Sequence, residues 1–228
     1  MKKFRLLVCC EESQRVCMAF RERGWEAYSC DIMPESGGHP EWHIQQDVLP
    51  LINGDCEFDT VDGEHHIIEG EWDLLICHPP CTYMSKAGAR WMYPKAGVIN
   101  PERLALALEA KEFFMQFIHA KCKYIAIENP RPLKVIKLPN PSQVIQPYEY
   151  GDPYSKVTLL WNKNLPNLIP TEILSKHIPW MPSNTGAFSR GGKGSHGVAH
   201  NAKDGSKTFP GIAQAMADQW GSYIENNA

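Results

Sequence analysis

The chain has 228 residues, with 23 Lys and Arg against 26 Asp and Glu, a formal charge of −3, 43% hydrophobic residues and 21% charged residues. That balance excludes disorder over the bulk of the chain, because enough apolar surface is present to offset the entropy of ordering it. It also excludes a membrane span, since apolar runs such as Leu74-Leu75-Ile76-Cys77 fall far short of about 20 residues, and the mild acidity leaves any nucleic-acid binding to a local basic patch.

Met1-Lys2-Lys3-Phe4-Arg5 lacks the apolar stretch and cleavage site of a secretory signal and leads into a first strand. Phe4 to Cys10 suits a strand buried on both faces. Ser13 is placed to cap a helix carrying Val16, Cys17, Ala19 and Phe20, which stops at Gly24. Glu26 to Cys30 is a second strand with Asp31 at its end, and His43 to Asp47 a third. Trp72 to Cys77 is the clearest buried strand and breaks at His78-Pro79-Pro80. Pro101 to Cys122 is the best helix, because Leu104, Ala107, Leu108, Phe114, Phe117 and Ile118 recur at three and four residues. Lys123 to Ile127 follows as a strand and ends in Glu128-Asn129-Pro130. Gln143 to Trp161 is a strand pair around Tyr150-Gly151-Asp152-Pro153. Residues 164–208, rich in Gly, Pro, Ser and Asn, suggest a long mobile loop with a basic portion that includes Arg190 and Lys193. Pro210 to Ile224 is a closing helix with Ile212, Met216 and Trp220 on one face.

This order implies an α/β protein, a Rossmann-like, mostly parallel sheet with helices on both faces. The expected organisation is a catalytic and cofactor-binding domain over 1–163, a basic loop region over 164–208, and a closing helix over 209–228 that packs back on the first. Ligands of such sheets bind at the carboxyl ends of the strands, where Asp31, Asp47, His78 to Cys81 and Glu128 all fall. The eight Cys show no disulfide-framework regularity and several sit in apolar runs, as reduced thiols of a cytoplasmic protein do.

Three constellations carry chemistry. In His78-Pro79-Pro80-Cys81-Thr82 two prolines stiffen the loop and hold Cys81 in a set place, as a sulfur nucleophile requires. Glu128-Asn129-Pro130 puts a carboxylate at the next strand end, and the pair can face one bound ring as nucleophile and proton source. Glu11, Ser13, Asp31 and Asp47 form the third set: an acid ending the second strand suits a ribose hydroxyl pair, and Asp47 an adenine amino group. The first turn, Cys9-Cys10-Glu11-Glu12-Ser13, is no phosphate-binding glycine loop, so a nucleoside cofactor without phosphate is expected. No metal is expected. His39-Pro40-Glu41 with Pro80-Cys81 approaches a zinc deaminase pattern, but Met84 stands where its second Cys belongs.

Pro79-Pro80-Cys81 and Glu128-Asn129-Pro130, in this order, resemble the DNA cytosine-5 methyltransferase family, particularly small phage-type members without a large target-recognition domain. The resemblance implies Cys81 as nucleophile, Glu128 as acid and S-adenosylmethionine as cofactor. The implied cofactor site comprises Cys10, Glu11 and Ser13 in the first turn, Asp31 with Ile32 beside it, Asp47, and His78 with Pro79. The implied substrate set comprises Pro80 and Asn129; Tyr150, Lys156 and Thr158 from a later base-holding motif; and Arg190 and Lys193 on the phosphate backbone. Lys156 and Thr158 stand where arginines are usual. The partner implied is DNA, duplex or single-stranded. Two other readings stay open from the residues: a related transferase acting on a pyrimidine nucleotide or moving another group, and an idle binding protein of the same fold.

Overall fold

The computed structural model describes residues 3–181, 198–199 and 202–228 (of 202 and 203 the backbone alone). The strands are β1 (Arg5–Cys9), β2 (Glu26–Asp31), β3 (His43–Gln45), β4 (Cys56–Asp59), β5 (His65–Ile68), β6 (Leu74–Cys77), β7 (Ile125–Asn129), β8 (Gln143–Ile145), β9 (Tyr154–Ser155), β10 (Thr158–Lys163) and β11 (Ile178–Pro179). The helices are α1 (Arg15–Glu22), α2 (Ala89–Met92), α3 (Pro101–His119), α4 (Ala202–Ser206), α5 (Pro210–Ala215) and α6 (Gly221–Asn226).

A seven-stranded sheet runs β3-β2-β1-β6-β7-β10-β8. Its first five strands are mutually parallel, and β10 is antiparallel to both neighbours. Strand residues alternate between two buried layers. Leu7, Cys9, Leu75, Cys77 and Ile127 pack with Phe114 and Phe117 of α3, while Leu6, Val8, Leu74, Ile76 and Ala126 pack with Phe20 of α1 and Ile212, Met216 and Trp220 of the closing segment. The protein is therefore a Rossmann-like α/β sheet covered on both faces. The chain winds from β1 outward to β3, then crosses to β6 on the other side of β1. That reversal opens a crevice above the carboxyl ends of β1 and β6, the position in which ligands of such sheets sit.

Several local expectations need correction. Ser13 does not cap α1. The residue before the helix is Gln14, in a left-handed conformation (φ 58°) without a side-chain cap, and the Glu11 carboxylate accepts from the amides of Val16 (2.7 Å) and Cys17 (3.2 Å) instead. Leu108 faces solvent, because the buried stripe of α3 is Ala107, Phe114 and Phe117. The hairpin β4–β5 was not expected. The closing helix is interrupted over Met216–Trp220 by a π-turn, after which Glu225 receives Arg23 (2.6 and 2.9 Å) and the Trp25 indole N–H (2.7 Å). Its start lies against the body so closely that a Cβ on Gly211 would stand 1.9 Å from the Tyr150 carbonyl oxygen. Residues 164–181 do not form a free loop. Gln143 clamps both the N–H and C=O of Leu168, and Gln219 does the same for Ile169. Among the described residues no helix is long and apolar enough to cross a membrane.

Candidate active site

A cavity of about 810 Å³ occupies the crevice. Its floor is made by three strand ends. Cys10 to Ser13 follow β1, His78 to Thr82 follow β6, and Glu128 and Asn129 belong to β7. The backbone N–H of His78 donates to the Cys9 carbonyl (2.9 Å), so the β1–β6 ladder runs one residue past the strand before the prolines stop it. The Asn129 amide donates to the Pro79 carbonyl (2.7 Å) and fixes the Pro-Pro loop to β7. The segments beyond are stitched together as well: Lys86 N–H donates to the Arg131 carbonyl (2.9 Å), and Ser85 pairs with Pro132.

Cys81 is half-buried on the cavity wall. Burial pushes its thiol up, the Glu128 charge adds to that, and Lys156 opposes it. Glu128 is 8% exposed. Burial alone would raise its carboxyl, but the His78 hydrogen bond, the Lys156 charge and the Thr158 hydroxyl outweigh burial and hold it below the usual carboxylate range. Glu11 lies on the other side. Burial raises it, against the attraction of His78 and its two amide donors. Asp31 is also raised by burial, with the Met33 amide opposing.

Of the expected cofactor residues, Cys10, Glu11, Ser13, Asp31, His78 and Pro79 line this cavity. Ile32 and Asp47 do not: Ile32 is 73% exposed, and the exposed Asp47 turns its carboxylate to the Leu49 amide (3.1 Å). Of the expected substrate residues, Pro80, Asn129 and Lys156 line it. Thr158 is buried behind Glu128, while Tyr150 is buried against the closing segment, and burial pushes its phenol to about 12. Arg190 and Lys193 lie outside the described residues.

No protein-family model and no curated protein matches the chain. Among solved structures it is similar to an E. coli protein encoded within a prophage and described as a candidate DNA modification methyltransferase, with a TM-score of 0.41 and 13% identity over 76% of this chain and 52% of that one. The chain thus spans about half the length of the solved structure it matches.

Glu11, Glu12 and Asp31 gather at the β1 and β2 ends of the lining, where carboxylates can attract a cation and accept hydrogen bonds from hydroxyls. The tight first turn forms without glycine, because Cys10 (φ 59°) and Gln14 (φ 58°) themselves adopt the left-handed conformation. Gln14 is held there by bonds to the His39 carbonyl (2.8 Å) and amide (3.1 Å). Among the described residues no group of three or more His, Cys, Asp or Glu is placed to hold a metal ion.

Lys207, from the basic stretch that the sequence singles out, lines the outer rim. The rest of the rim was missed: Lys86, Arg103 and Arg131 line the cavity, and so does Trp91, which is 57% exposed with the Arg90 guanidinium 4.7 Å from its ring centre. For Lys86 and Trp91 the signal was the run from Tyr83 to Lys95, where basic and aromatic residues interleave directly after Cys81; Arg103 and Arg131 carry no such local signal.

Proposed function

We propose that this protein is an S-adenosylmethionine-dependent DNA methyltransferase that acts on carbon 5 of cytosine through a covalent bond to Cys81. The observation that carries this reading is the meeting of Cys81 and Glu128 in one cavity: they come from adjacent parallel strand ends, and each sits within reach of the Lys156 charge. Glu11, Asp31 and the first turn would hold the cofactor, which when bound supplies an electrophilic methyl group. Carbon 5 of cytosine is a poor nucleophile. Addition of the Cys81 sulfur to carbon 6, with a proton delivered to ring nitrogen 3 from the Glu128 side, makes carbon 5 enamine-like. After methylation the carbon-5 proton leaves and Cys81 is expelled. Burial and the Glu128 charge keep Cys81 a thiol in the resting site, so positive charge brought near the sulfur is required to release the anion. Asn129 and Pro79–Pro80 hold the loop in place for the addition step.

A single-stranded substrate has its own support in Trp91, exposed on the cavity wall and backed by Arg90, because an unpaired base stacks on such a ring. The test incubates the protein with labelled S-adenosylmethionine and 5-fluorocytosine DNA, as duplex, single strand and nucleotide. Fluorine cannot leave as a proton does, so a denaturation-resistant adduct is expected with wild type and none with Cys81→Ser, whose turnover on ordinary DNA should fall by about 10⁴-fold or more. No wild-type adduct on any of the three would favour a binding protein, and adduct with Cys81→Ser would overturn the assigned nucleophile.

A further inference from the structure

Three ionisable side chains cross the carboxyl ends of the central strands in a row: Glu11 after β1, His78 after β6 and Glu128 in β7. Cys77 pairs with Ile127, so His78 and Glu128 occupy the next opposed positions. His78 Nδ1 lies 3.3 Å from Glu128 Oε2, with both side chains 9% exposed. Its other ring nitrogen, Nε2, is buried without a hydrogen-bond partner among the described residues. The backbone of His78 is fixed from both directions, by its bond to Cys9 and by the prolines that follow. The groups acting on the pair are Glu11 from the β1 side, Lys156 and the Thr158 hydroxyl from the β10 side, and Cys81 from the β6 loop.

A carboxyl held below its usual range carries no proton at neutral pH, yet the addition step of the reading above needs one delivered to the base. We propose that His78 is the positioning residue of the acid step: it holds Glu128 through Nδ1 and furnishes the proton that Glu128 passes to ring nitrogen 3. This rests on the cytosine-methylation reading. The His78 imidazolium gives its Nδ1 proton to Glu128, leaving a neutral imidazole and a carboxylic acid. The Cys81 thiol gives its proton to solvent, and as a sulfur lone pair forms the bond to carbon 6, the carbon 5–carbon 6 pair moves to carbon 4–carbon 5. The carbon 4–nitrogen 3 pair takes the proton from Glu128. When Cys81 is later expelled with its bonding pair and regains a proton from solvent, the nitrogen 3 proton returns to Glu128 and then to His78, while the carbon-5 proton goes to solvent. The dyad ends the cycle with the protons it began with.

His78→Gln keeps an N–H for the carboxylate but has no proton to give. Its single-turnover methyl-transfer rate is expected to fall about 10²- to 10³-fold with the KM for DNA unchanged. A decline in wild-type rate with rising pH, which a proton-supplying imidazole imposes, should be absent in the variant. A variant with wild-type rate and pH profile, or with a change confined to KM, overturns the proposal. Carboxyl carbon NMR of Glu128 without DNA provides a readout independent of activity. Its titration should move to higher pH in His78→Gln, and an unmoved titration refutes the pairing. Should that variant fail to fold, nitrogen correlation spectra of wild-type His78 decide: a proton on Nδ1 that responds to Glu128 titration supports the dyad, and a bare Nδ1 throughout rejects it. If wild type methylates no cytosine substrate, the methylation reading and the proton-supply role fall together, while the Glu128 titration still tells whether the ion pair exists.

Discussion

The two halves of the cavity differ in charge although one sheet builds both. The half over β1 and β2 gathers Glu11, Glu12 and Asp31, and the half over β6, β7 and the strand pair beyond gathers Lys86, Arg103, Arg131 and Lys156. Lys207 lies at the seam, 3.9 Å from Glu12 and 3.2 Å from the Ser36 hydroxyl. A cation and a polyanion placed in one cavity would sort themselves onto opposite sides without a dividing wall. Charge arrangement, rather than net charge, therefore distinguishes this acidic protein from a general anion repeller.

The sharpest way to break that comparison is to remove charge from the basic half. Lys86→Ala with Arg131→Ala is expected to weaken DNA binding by roughly a hundredfold, on about 1.5 kcal/mol for each charge-assisted hydrogen bond to a phosphate removed. The salt dependence should flatten by roughly 1.8 on duplex or 1.4 on a single strand, with S-adenosylmethionine binding unchanged by calorimetry. Equal weakening of both ligands would erase the division. A smaller effect is expected from the acidic half: Asp31→Asn should raise the Kd for S-adenosylmethionine about tenfold, one charge-assisted hydrogen bond, while DNA affinity in filter binding stays put.

The smallest effect sharpens the comparison within the floor, where two buried carboxyls are displaced in opposite directions. Glu128 is held low, so its stabilisation is present above the unfolded value of about 4.3 and is lost as pH falls through the native value. Glu11 is held high, so its contribution is present below about 4.3 and is lost as pH rises through the native value. In urea unfolding followed from acid to neutral pH, Glu128→Gln should lose ground relative to wild type and Glu11→Gln should gain it. The same sign for both would contradict the assigned environments.

The strands β1, β2, β6 and β7 were legible because a parallel strand buried on both faces must be apolar throughout. The hairpin β4–β5 was not, since Cys56-Glu57-Phe58-Asp59 and His65-His66-Ile67-Ile68 bury only Phe58 and Ile68 outright and keep no clear period. Cys81 and Glu128 stood out as strand-end punctuation. The pairing of His78 with Glu128 did not, because it depends on which strands are neighbours and in what register, which no local pattern encodes. Glu11 was picked out for a ligand, whereas its carboxylate also caps α1 from four residues before the helix begins, a reach that the usual capping positions do not anticipate. The expectation of a loose loop failed over residues 164–181, where two glutamines supply backbone pairing that a strand would otherwise give.

The distribution of sulfur has a practical consequence. Five of the eight thiols are sealed inside the sheet layers, and Cys10, Cys56 and Cys81 alone have partial access. Cys10 and Cys81 both line one chamber, after the neighbouring strands β1 and β6, and Cys56 lies away from it in the hairpin. A reactive pyrimidine mimic would thus write its own address into the protein. Peptide mapping of the alkylated sulfur would show whether the mimic had settled over the acidic end, over the basic end, or nowhere in the chamber at all.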